Sequence, residues 1–232
     1  MTNLLPGNHS RVKQSGVSIH LILQDNFIMF QDINRGQFLK FSALVEGCLV
    51  ILALSLGWWV ELDPLQSFSL DAADFALGII AAMPLFLLLL ISDKIPSPSM
   101  QRIRQFLVET IGASLNSCRW YELIFLAAVV GFSEELLFRG LIQPWIERHA
   151  GYTAGLLWSN LIFGLAHCVT LLYGLLAGVM GGYLGWLLDA RESRNLLIPM
   201  TTHAFYDYLA FLWIARIYRA QQNPNLEPEM NS

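Results

Sequence analysis

Apolar residues run through this chain in six long blocks, at about 41–60, 74–92, 120–145, 151–169, 171–189 and 196–217. A helix rises about 1.5 Å per residue, so about 20 apolar residues cross a hydrocarbon layer about 30 Å thick. Each block reaches or approaches that length. The pattern predicts an all-α, polytopic membrane protein with about six transmembrane helices. The fourth and fifth blocks are joined by almost nothing, which predicts a tight antiparallel pair. Between the second and third lies SPSMQRIRQFLVETIGASLN (97–116). Ile103, Phe106, Leu107 and Ile111 recur there at helical spacing, with Arg102, Arg104 and Glu109 elsewhere on the wheel. This predicts a short amphipathic helix with Ser99 as its N-cap, lying on the membrane face or packed on the domain as an ordinary connector. The fifth block carries Gly174, Gly178 and Gly182 at four-residue spacing, and Gly181 and Gly185 likewise. Small residues on one face let helices approach closely, and intramolecular packing is the expected use.

Composition agrees with that pattern. The 232 residues are 55% hydrophobic and 14% charged, with mean hydropathy +0.49. A soluble domain carries about 25% charge. The length suits one domain. A net charge of −4 gives no footing for nucleic acid. With the N-terminus in the cytoplasm, ten basic residues fall on that side: Arg11, Lys13, Arg35, Lys40, Lys94, Arg102, Arg104, Arg119, Arg216 and Arg219. Arg148, Arg191 and Arg194 fall outside, and the Arg191/Arg194 pair fits this topology least well. Trp58, Trp59, Trp120, Trp145, Trp186 and Trp213 lie near block ends, where amphipathic rings favour the interface. Cys48, Cys118 and Cys168 are too scattered for a disulfide framework and read as buried free thiols. Residues 1–40, including VSIHLILQDNFIMF (17–30), read as a cytoplasmic segment, 41–218 as the membrane domain, and 219–232 as a polar, disordered tail.

The apolar blocks contain charges that need a reason. An ionised side chain at the bilayer centre costs about 2.5–3.5 kcal/mol on insertion scales, so such groups face a polar interior and pair with one another. The third block holds Glu122, Glu134, Glu135 and Arg139; the fourth holds Asn160 and His167; the sixth holds Thr201, Thr202, His203 and Asp207. Glu135 and Arg139 are four apart and meet on one helix face, while Glu134 points about 100° away. Asn160, Phe163 and His167 form one stripe, and His203 and Asp207 are again four apart. Turning these three faces inward makes one cavity. Glu46 stands alone in the first block and reads as a packing or near-interface residue. Glutamate and histidine are the usual acid–base pair, so Glu134 could take a proton from water and His203 could donate to a developing oxyanion. Ser133 has no histidine near it in sequence, and Cys168 diverges from His167 by about 100°. No HExxH motif is present, although Glu134, His167 and His203 could in principle hold zinc.

EELLFR (134–139), FGLAH (163–167) and HAFYD (203–207) occur in order on separate blocks. Together they resemble the EExxxR, FxxxH and histidine-x3-Asn/Asp motifs of the CAAX-protease and bacteriocin-processing family (CPBP, or Abi), intramembrane glutamic endopeptidases. The resemblance covers roughly residues 120–210. It implies a helical membrane peptidase with a water-filled cavity open toward the cytosol, no required cofactor, and cleavage of peptide or membrane-anchored protein substrates. Eukaryotic members remove the last three residues of prenylated CaaX proteins. By resemblance, Glu134 activates water with help from His167. Glu135 and Arg139 support the site's structure and charge balance, and the stripe through His167 adds Asn160 and Phe163 as supporting residues. His203 and Asp207 form the oxyanion side. Position 207 departs from the Asn usual in the eukaryotic enzymes. An ionised Asp accepts but does not donate, so here it is expected to accept from His203 and fix its tautomer.

Three other readings remain open from the sequence. One is a non-catalytic scaffold or immunity-type protein on the same fold. Another is a zinc-dependent membrane peptidase, the weaker form of the hydrolytic reading. The third is a proton- or ion-coupled carrier, although no two-half repeat is visible.

Overall fold

The computed structural model describes residues 34–223. Among those residues all regular structure is helical, with no strand. The order is α1 (Arg35–Trp59), α2 (Ala72–Lys94), α3 (Pro98–Ser117), α4 (Trp120–Glu135), a π-helical segment (Leu136–Ile142), α5 (Gln143–Ala150), α6 (Tyr152–Ala166), α7 (Leu171–Leu187) and α8 (Leu197–Gln222). The segment 17–30 and the last residues, 224–232, lie outside the described range.

Local chemistry sets several boundaries. Asn34 caps α1: its Oδ1 accepts from the Gln37 N–H at 3.0 Å, and the Gln37 side chain accepts from the Asn34 N–H at 2.9 Å. This capping box starts the first helix at Arg35, six residues before the expected position. Asp71 caps α2 through the Asp74 N–H. The N-cap of α3 is Ser97, not Ser99, because Pro98 takes the first helical position, where a missing N–H costs nothing. Gly151, at φ +85°, turns the chain between α5 and α6. α8 runs through Gln222, so the first residues of the expected tail are helical.

α8 is the central column, packed against α2, α3, α4 and α7. Gly131 of α4 allows its close approach: a Cβ there would lie 2.7 Å from the Ala204 backbone nitrogen. α6 and α7 form the expected antiparallel pair, with Gly174 and Gly178 against Gly164, while Gly181 and Gly185 face the core. α3 packs on α8 through Val108 and Leu115. One apolar cluster surrounds the π segment (Leu136, Leu137, Phe138, Leu141) with Phe163, Leu196 and Met200.

The outer faces are apolar too. Leu44, Ile51, Ile80, Leu87, Leu157, Leu165 and Leu175 are exposed, and so are Trp58, Trp59 and Trp120. Contiguous apolar surface on this scale suits lipid rather than water. Among the described residues, α1 and α2 are long and apolar enough to cross a membrane, fewer than the six expected. α6 and α7 are apolar but span 15 and 17 residues, the π segment interrupts the third block, and polar side chains dilute the sixth. Cys48 and Cys168 are exposed rather than buried, because both lie on outward faces; Cys118 is partly buried, and all three are free.

The loops at one end are tied together. Asn195 accepts from the Ser69 N–H at 3.1 Å and donates to the Ser69 carbonyl at 3.0 Å and to Asp74 Oδ2 at 2.7 Å. Arg191 pairs with Asp74 at 3.0 Å, and Arg194 pairs with Asp189 and Glu147 at 2.7 Å each. The two arginines that fitted the topology poorly thus have local acidic partners.

Candidate active site

The expected convergence of three polar faces occurs. Glu134 and Glu135 end α4, Arg139 lies in the π segment, Asn160 and Phe163 lie on α6, His167 caps that helix, and His203 and Asp207 lie on α8. A π-helix bonds i to i+5, which widens the turn, and such segments recur at functional sites. Here it begins directly after Glu135, and Gln143 N–H donates to the Phe138 carbonyl.

Arg139 is the structural centre. Its side chain and that of Glu135 are 0% exposed and meet at 3.1 Å. The other guanidinium nitrogen donates to Asn160 Oδ1 at 2.9 Å and to the Gly181 carbonyl at 2.7 Å. Gly181 must lack a Cβ, which would sit 2.9 Å from that nitrogen. Asn160 Nδ2 donates to the Leu156 carbonyl, fixing the amide orientation. The Arg139 guanidinium lies over the Phe163 ring at 4.7 Å, and that ring meets the His167 ring at 4.4 Å between centroids, tilted by 31°. Phe163 therefore touches both the buried cation and the first histidine.

Glu134 occupies different ground. Its side chain is 13% exposed, and Oε2 has no hydrogen-bond partner among the described residues. The nearest groups are His167 Nε2 at 3.7 Å and His203 Nε2 at 4.0 Å. His167 Nδ1 lies 2.9 Å from the Phe163 carbonyl. A carbonyl only accepts, so that nitrogen carries the hydrogen, and Nε2 of the neutral ring faces Glu134 as an acceptor. Two acceptors 3.7 Å apart suit one water donating a hydrogen to each.

The second histidine departs from expectation. His203 Nδ1 contacts Glu135 Oε1 at 2.8 Å, whereas Asp207 faces Nε2 at 3.6 Å, beyond a hydrogen bond. Glu135, not Asp207, orients the ring. The reason is rotational: the α4/α8 contact turns Nδ1 toward the Glu135–Arg139 pair and leaves Nε2 for the cavity.

These groups close the inner end of a cavity of about 680 Å³. Glu134, His167, His203 and Asp207 line it beside apolar Leu88, Ile103, Leu107 and Met180, with the Arg104–Asp93 pair (2.9 Å) also on its wall. Among the described residues, no three His, Cys, Asp or Glu side chains converge as a metal-ligand set.

Sequence reasoning missed Glu46. It is 9% exposed, and Ser133 Oγ donates to its Oε2 at 2.5 Å. Ser133 is fully buried, immediately before Glu134. The signal was present: a carboxylate in an apolar helix needs a polar partner, and a serine in another block supplies one.

Residues 116–209 match the family model described as Type II CAAX prenyl endopeptidase Rce1-like. The match supports the CPBP/CAAX protease family for that segment. The match holds every expected site residue from Glu134 to Asp207 but not Glu46. The CPBP family is a protease family, and its members are membrane-integral. No curated protein and no solved structure matches the chain.

Proposed function

We propose that the protein is an intramembrane endopeptidase in which Glu134 activates water. The observation that carries this reading is the open acceptor pair of Glu134 Oε2 and His167 Nε2 at the inner end of the cavity. A water bridging them attacks the scissile carbonyl carbon. Glu134 takes the water proton and delivers it to the amine nitrogen as the C–N bond breaks. Carrying both ring protons, His203 donates from Nδ1 to Glu135 and offers Nε2–H to the oxyanion. Arg139 holds Glu135 so that Glu135 serves as orienter rather than as base.

The apolar cavity and lipid-compatible exterior support a multi-pass membrane protein, here taken with about six crossings and a cytoplasmic N-terminus. They also support substrates that are themselves membrane-associated, of the prenylated CaaX type or another lipid-anchored polypeptide.

The test compares wild type with Glu134→Gln in the native host at matched membrane levels. Mass spectrometry maps protein N- and C-termini in both membrane proteomes. Termini that vanish in the variant support the reading and name the substrates. An unchanged terminome, with a normal variant phenotype where a deletion has a clear one, rejects catalysis through Glu134 and favours a scaffold. Activity lost to a chelator and restored by zinc would instead establish metal-dependent hydrolysis.

A further inference from the structure

Hydrolysis at Glu134 leaves a chemical need that the expected residues meet poorly. A tetrahedral intermediate carries a full negative oxygen, and enzymes stabilise it with fixed donors. His203 has one nitrogen committed to Glu135, leaving Nε2 alone for the task. Asp207, as a carboxylate, only accepts. Arg139 is sealed from the cavity by its bonds to Glu135, Asn160 and Gly181.

Two further donors face the same space. Tyr173 and Tyr206 both line the cavity with Glu134, His203 and Asp207. Tyr173 lies in the first turn of α7, where its N–H bonds to Thr170 Oγ1 at 3.1 Å. Tyr206 precedes Asp207 on α8. Tyr173 is within electrostatic reach of Asp207 and Glu134, and Tyr206 of Asp207 and Tyr173. Both side chains are partly buried on the cavity wall. A phenol on the wall of a cavity can donate its hydrogen to a ligand oxygen there.

We propose that Tyr173, with Tyr206 beside it, supplies the phenolic donors that hold the substrate carbonyl oxygen and the oxyanion. The assignment rests on the peptidase reading. In the reaction the water oxygen bonds to the carbonyl carbon, and the carbonyl π electrons move onto oxygen. The phenol donates a hydrogen bond to that oxygen and keeps its proton. Collapse of the intermediate breaks the C–N bond, and the amine leaves with the proton held by Glu134. The phenols thus fill the role that an amide donor at position 207 would otherwise fill.

The experiment uses the full chain. Membrane terminomes are compared for wild type, Glu134→Gln, Tyr173→Phe and Tyr206→Phe. A synthetic peptide spanning a terminus lost in Glu134→Gln then serves as substrate for each purified protein in liposomes. The expected result is a kcat lower by about 10²–10³-fold in Tyr173→Phe, with KM within about threefold. Tyr206→Phe should show a smaller kcat loss, and both should keep the wild-type thermal midpoint, since the ring remains. A kcat within about threefold of wild type in both variants overturns the proposal. So does a rise in KM alone, which would make the phenols ground-state contacts. If Glu134→Gln leaves every terminus in place, the peptidase reading itself fails.

Discussion

The continuous rod from Trp120 to Ala150 carries two charged clusters about 12 residues apart, roughly 18 Å along a helix. They are built in opposite ways. Around Arg194, donors and acceptors are matched. Nε and Nη2 grip both oxygens of Asp189 at 2.7 Å, and Nη1 meets Glu147 at 2.7 Å. Hydrogen bonding to Asp189 foremost, opposed by burial and helped by Glu147, holds the Arg194 guanidinium above its ordinary range. Around Arg139 the guanidinium pairs with Glu135 and has Glu134 within electrostatic reach, and among the described residues Oε2 of each of these glutamates finds no hydrogen-bond partner. Saturated charge closes a structure. Surplus acceptors beside a cavity leave room for a water and a reacting group. Both clusters contain an arginine and two or more carboxylates, so composition alone does not separate lock from site.

The comparison breaks most sharply at Glu134. Replacing it with Gln should lower turnover by about 10²–10⁴-fold while leaving the thermal midpoint near wild type, as read by peptide cleavage and melting in detergent. Removing Arg139 should do the reverse. Arg139→Ala strands a sealed Glu135 charge, at a cost of about 3–5 kcal/mol, and little folded protein should survive limited proteolysis. Wild-type stability in that variant would show that the site does not depend on its cation. Gly181→Ala sharpens the same point, because the added methyl displaces the guanidinium; a loss of about 1–3 kcal/mol is expected in urea unfolding. Ser133→Ala removes the hydroxyl that meets Glu46, and about 1–2 kcal/mol should go with it. Arg194→Ala should cost only about 1 kcal/mol, since that cluster is partly exposed, with turnover per folded molecule unchanged. A large loss of turnover there would mean that the lock reaches the chemistry.

Much of this was legible in the sequence, for a physical reason. Charged residues are so costly in apolar helices that their spacing exposes their partners. Glu135–Arg139 and the Asn160–Phe163–His167 stripe follow from helical period alone. Contacts between helices distant in sequence were harder. Helical spacing joins His203 to Asp207, yet the tertiary packing of α4 on α8 gives the histidine to Glu135 instead. Glu46 escaped because its partner, Ser133, lies 87 residues away and carries no charge. The π segment left no trace, since its apolar residues fit an ordinary α-helix equally well. Nothing in the sequence pattern singles out Tyr173 and Tyr206; the cavity sets them apart.

The Glu135–His203 contact also sets a timetable. The two residues are 68 positions apart. At a synthesis rate of about 5–20 residues per second, the histidine emerges roughly 3–14 s after the glutamate. During that interval Glu135 and Arg139 can enter the membrane as a neutral pair, but Glu134 has no companion. The nascent chain must be held near the translocation machinery, or in a wet environment, until α8 arrives. Chains that stop before His203 should therefore be degraded, and the charged cluster is complete only once α8 is made.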